Sequence, residues 1–123
     1  MAELGPIGDV FCIPLKVSKE HAGGADALIA KAPFKCRILR ALCGSESVSG
    51  IPSALTLMLE NGTTDIFSAE ADISDPTAPV EATIASGQDA LAKDDVLHVD
   101  ITFTGGTAPK VEGAYCHLWV ARE

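Results

Sequence analysis

The feature that most constrains this chain is a hydrophobic period of two. In "DVLHVDITFT", Leu97, Val99, Ile101 and Phe103 fall on one side, and His98, Asp100, Thr102 and Thr104 on the other. Successive strand side chains point to opposite faces, so this pattern predicts a half-buried antiparallel strand. The same alternation recurs at Phe11, Ile13, Leu15 and Val17, where Pro14 marks an edge position or a bulge. It recurs again at Leu55, Leu57 and Leu59, at Val80, Ala82 and Ile84, and in the closing "AYCHLWVA".

Phe34, Cys36 and Ile38 are expected to point inward, with Lys35 and Arg37 outward. The inward face of Leu39–Cys43 is left open, because both sides are apolar. "ADALIAKA" is a weaker run, set off by Gly23-Gly24. Asn61-Gly62 between two runs predicts a hairpin with both residues in the turn, the second run holding Ile66 and Phe67. "GQDALAKDD" is read as a loop with room for one helical turn.

No segment sustains a period of 3.6 residues, and the connections carry Gly, Pro and Asp. The expectation is an all-β antiparallel β-sandwich or jelly roll of about eight strands. It occupies residues 11–123 as one domain, behind a short extended arm at 1–10. Apolar residues make up 47% of the chain, but only six are aromatic (four Phe, one Tyr and one Trp). Val, Ile, Leu and Ala must therefore fill the interior, which suits a thin sandwich better than a deep ligand cavity.

The net charge of −8 argues against nucleic acid as a partner, since phosphate neutralisation needs a basic face. Charge is also uneven along the chain. Lys16, Lys19, Lys31, Lys35, Arg37 and Arg40 lie in the first third, whereas Glu60–Asp100 holds ten acids and one Lys93. Stretches of about 18 apolar residues, which a membrane span requires, are absent, so no membrane partner is expected. "MAELGPIGDVF" is acidic, with Gly and Pro where a secretory leader would be apolar. The expectation is synthesis in a reducing cytoplasm, with the four cysteines acting as small buried hydrophobes.

Candidate chemistry is thin. His21, His98 and His117 lack metal-ligand spacing, and Cys12, Cys36, Cys43 and Cys116 never form C-x-x-C. No metal or cofactor is expected. Cys116 and His117 are adjacent, but a strand directs them to opposite faces, so they cannot form an activated thiolate pair. No enzymatic activity is expected. On the last strand, Cys116, Leu118 and Val120 already supply a core face. Tyr115, His117 and Trp119 then form a stripe of amphipathic side chains, either exposed for an interface or themselves the core face. His98 and Asp100 share one strand face and are added as candidate oligomer-interface residues.

The order of the phrases "APFKCRIL", "LTLMLENGTTDI", "ALAKDDVLHVDIT" and "GAYCHLWVARE" resembles the small jelly-roll decoration, cement or head-stabilisation proteins of tailed bacteriophages. The resemblance runs from Phe11 to the end and rests on strand layout and turn phrases. It implies a homotrimer on the outer surface of an icosahedral capsid, bound after shell expansion where capsomers meet, with the major capsid protein as partner and no catalytic residues. Candidate capsid contacts are the arm residues Met1, Ala2, Glu3 and Leu4 and the basic residues Lys31, Lys35, Arg37 and Arg40. The alternative is a jelly-roll fibre or tail module that binds a host glycan or protein. Its loops would be expected to carry aromatics, and these loops hold almost none.

Overall fold

The computed structural model describes residues 10–123. The expected arm contacts Met1, Ala2, Glu3 and Leu4 therefore lie outside the described residues. Every regular element is a strand: β1 (Val10–Lys16), β2 (Gly24–Lys31), β3 (Cys36–Gly44), β4 (Ser47–Ser49), β5 (Ala54–Asn61), β6 (Thr64–Asp65), β7 (Ala71–Asp72), β8 (Val80–Ala82), β9 (Ala90–Leu91), β10 (Val96–Thr104), β11 (Lys110–Glu112) and β12 (Tyr115–Arg122).

These strands build two five-stranded antiparallel sheets and a small ribbon of β11 on β4. The first sheet runs β1-β12-β3-β8, with β9 pairing the far end of the same β3 edge. The second runs β2-β10-β5-β6, with β7 pairing the far end of the β5 edge. Each sheet thus has one outer strand broken into two short pieces. Those two interruptions, with the two strands of the β4–β11 ribbon, explain why twelve strands stand where about eight are predicted.

The period-two faces are what hold the sheets together. Leu97, Val99 and Ile101 of β10 and Leu55, Leu57 and Leu59 of β5 meet Ile38, Ala41, Leu118 and Val120 of the first sheet in one buried cluster. Each fully buried Leu or Ile contributes roughly 1.5–3 kcal/mol, so this layer is the main source of stability. The result is an all-β antiparallel sandwich.

Several local expectations are corrected. Asn61 pairs with Thr64, so the hairpin turn is Gly62-Thr63. Only Gly62 takes a positive φ (64°), as the first position of a type II′ turn requires. Asn61 stays in the strand, and its Nδ2 donates to Asp95 Oδ2 at 2.9 Å. The "GQDALAKDD" segment makes no helical turn. Its Ala90-Leu91 forms β9 against Cys36-Arg37, with Leu91 buried.

Leu39–Cys43 resolves through a bulge. The register against β12 slips between Trp119 and Val120, which leaves Leu39 unpaired and 53% exposed. Cys36 and Ile38 point inward before it, and Ala41 and Cys43 point inward after it. A single extra residue moves the inward set from even to odd positions. Pro14 sits on β1, which pairs only with β12 and is therefore an edge strand. Phe11 is 40% exposed, so the inward row of β1 becomes buried only at Leu15, followed by Val17 just beyond the strand.

Candidate interaction face

β12 divides its side chains as the alternation requires. Cys116, Leu118 and Val120 are fully buried, and Tyr115, His117 and Trp119 stand half-buried on the outer face of the first sheet. Residues two apart on one strand face come within ring contact. The Tyr115 and His117 ring centres are 4.8 Å apart at 35°, and those of His117 and Trp119 are 6.3 Å apart at 71°.

Neighbouring strands frame this ladder. Lys16, Pro14 and Cys12 of β1 lie opposite Tyr115, His117 and Trp119 on one side. On the other side stand Gly44, Leu42 and Arg40 of β3. Gly44 has no side chain because the Tyr115 phenol lies across its backbone; a Cβ placed there would overlap the ring.

Arg40 completes the row. Its guanidinium carbon lies 4.9 Å from the Trp119 ring centre, a cation–π arrangement, and Nη2 donates to Glu81 Oε1 at 2.9 Å. Arg40 is therefore a member of this face.

The other basic candidates stand along β2, β3 and the turn between them. Arg37 bonds Asp89 Oδ2 at 2.8 Å and Glu123 Oε2 at 3.2 Å, and these two carboxylates raise its pKa further. Lys35 stands in the turn before β3, where its carbonyl accepts the Glu123 amide. Lys31 ends β2, in the second sheet, opposite Val96.

His98 and Asp100 lie on the outer face of the second sheet, on the far side of the sandwich from Tyr115, His117 and Trp119. The two groups therefore stand on opposite outer faces of one chain. There, His98 Nδ1 is 2.8 Å from Asp26 Oδ1, and the Asp26 amide donates to Asp100 Oδ1 at 2.8 Å.

Glu60 faces His98 across the strand pair, and the sequence reading did not single it out. A hydrogen bond shared with Asp100, then lost hydration and the nearby Asp65, push its pKa up to about 7. Together with Asp65, Glu70 and Asp100 it lines an open cleft of about 380 Å³. The signal in the sequence was the outward row Thr56, Met58, Glu60, which meets the acids only through long-range pairing. Among the described residues, no group of three or more His, Cys, Asp or Glu is arranged to hold a metal ion. Among the same described residues, no helix is long and apolar enough to cross a membrane.

Cys116 and His117 lie on opposite faces of β12. A hydrogen bond to Cys43, followed by burial, raises the Cys116 thiol well above its ordinary value and keeps it protonated.

The fold and this face together define an antiparallel β-sandwich with a half-buried aromatic and basic ladder on one outer surface. The chain matches no known protein family, no curated protein and no solved structure.

Proposed function

We propose that this chain is a structural virion protein: a homotrimer that sits on the outer surface of a bacteriophage capsid and ties neighbouring capsomers together. The observation that carries the reading is the ladder Tyr115–His117–Trp119 with Arg40 over its end. Trp, Tyr and Arg are the residues enriched at the energetic centres of protein interfaces, and here they form one continuous patch. Wiring supports the same reading. The orders β1-β12-β3-β8 and β2-β10-β5-β6 place the first long strand beside the last and the second beside the next to last. Nested pairing of this kind supports the finer reading as a double Greek-key jelly roll, an architecture used in viral shells.

A trimer gains from multivalency: three weak contacts on one rigid body act as one strong contact with the major capsid protein. The fibre-module alternative would use the aromatics to stack on sugar. Arg40 already covers a face of Trp119, which favours a protein contact. Incubation with expanded phage capsids followed by sedimentation tests the role. Co-sedimentation that saturates with added protein is expected; protein left wholly in the supernatant overturns it.

A further inference from the structure

We infer that Cys43 and Cys116 are a latent disulfide site, converted by a small disulfide oxidant into a covalent staple between β3 and β12. The two residues are direct register partners on adjacent antiparallel strands. Both are fully buried on the inward face, both are free thiols, and the two thiols interact directly. Opposed residues in an antiparallel pair have Cα atoms about 4.5 or about 5.5 Å apart, depending on the type of pair. Either spacing lies inside the range of roughly 4.4–6.8 Å that a disulfide accepts. The backbone therefore has no distance to travel.

The other cysteines are placed differently. Cys12 is exposed on the outer face of β1, opposite Trp119, and Cys36 stands at the far end of β3, opposite Arg122. β12 is flanked by β1 and β3, and β3 by β12 and the β8 and β9 pieces. Both strands of the staple are thus held from either side.

The reaction balances simply. One thiol, as its thiolate, attacks the oxidant R–S–S–R and releases R–SH. The second thiolate then displaces the remaining R–S group, leaving the Cys43–Cys116 bond, two R–SH and no net change in protons. Two protons and two electrons have passed to the oxidant. Because burial and the shared hydrogen bond keep the Cys116 thiol protonated, the reaction runs on chains that have opened or not yet closed. The bond lies directly beneath the row that carries Tyr115, His117, Leu42 and Gly44, and it would fix the two strands of that face to each other. This inference is independent of the proposed capsid role.

The test is refolding of the full chain with Cys12→Ser, which removes the exposed thiol, in a glutathione buffer poised oxidising and then reducing. The expected product has lost about 2 Da and yields a Cys43–Cys116 linked peptide on digestion. It also melts several degrees above the reduced protein, and dithiothreitol reverses the difference. No core variant is needed, so loss of folding cannot obscure the answer. Thiols that stay free in the oxidising buffer, a link through Cys36, or an oxidised form that melts no higher than the reduced one would each overturn the inference.

Discussion

Arg40 lies over the indole of Trp119, 4.9 Å from the ring centre, and is held there by Glu81 at 2.9 Å. The contact crosses from β3 to β12 at the bulge that leaves Leu39 unpaired. Trp119 is the only Trp in the chain, so its fluorescence reports the surroundings of this one ring, Arg40 and His117 included. Arg40→Ala uncovers the ring and should shift its emission to the red. The side chains of Arg40 and Glu81 are about half exposed, so stability should fall by no more than about 1 kcal/mol. An unchanged spectrum would mean that Arg40 does not cover the ring in solution.

Gly44→Ala tests the other end of the ladder. The new methyl group meets the Tyr115 phenol, and either the ring swings out or the strands part, at about 1–3 kcal/mol. The double variant Gly44→Ala with Tyr115→Ala should lose less stability than the two single changes added together, as a shared contact requires. Simple additivity in denaturant titrations would contradict the contact.

Glu60 makes stability depend on pH with a definite sign. Its folded pKa of about 7 stands above the ordinary 4.5, so between those values the folded state binds more protons than the unfolded state. Stability should therefore fall as pH rises from about 5 to about 8, and Glu60→Gln should flatten that slope. A melting temperature that rises across the same interval in the wild type, or a slope unchanged in the variant, would remove the shared proton from the account.

Ile51 presents a different strain. It is 93% exposed with φ at 50°, a left-handed conformation that a β-branched residue tolerates poorly. Such strain costs about 1–3 kcal/mol, part of which glycine gives back as unfolded-chain entropy. Ile51→Gly should raise stability by about 1 kcal/mol. A loss of stability would show that the Ile51 side chain contributes contacts absent from this structure.

Much of this architecture could be read from local pattern. β5, β10 and β12 follow from strict alternation, and the division of β12 into Cys116, Leu118, Val120 against Tyr115, His117, Trp119 needed only the pleat. What escaped depends on partners distant in sequence. β9 is two residues long and exists because β3 offers it an edge. The turn moved to Gly62-Thr63 because Asn61 found Asp95. Arg40 looked like one charge in a basic run, and the bulge at Leu39, invisible to a period of two, turned it toward Trp119. His98 and Asp100 were correctly placed on one strand face, but only sheet assignment puts that face on the far side of the molecule.

The most direct test of the proposed assembly is the molar mass in solution, measured by light scattering for the wild type and for Trp119→Ala. The wild type is predicted at three times the 12.7 kDa of the chain. The variant, still folded, should move toward 12.7 kDa at the same concentration, with assembly weakened by at least about thirtyfold, the equivalent of a 2 kcal/mol interface anchor. A wild type that remains at 12.7 kDa at every concentration, or a folded variant that stays trimeric, would contradict the central claim that this face joins copies of the chain.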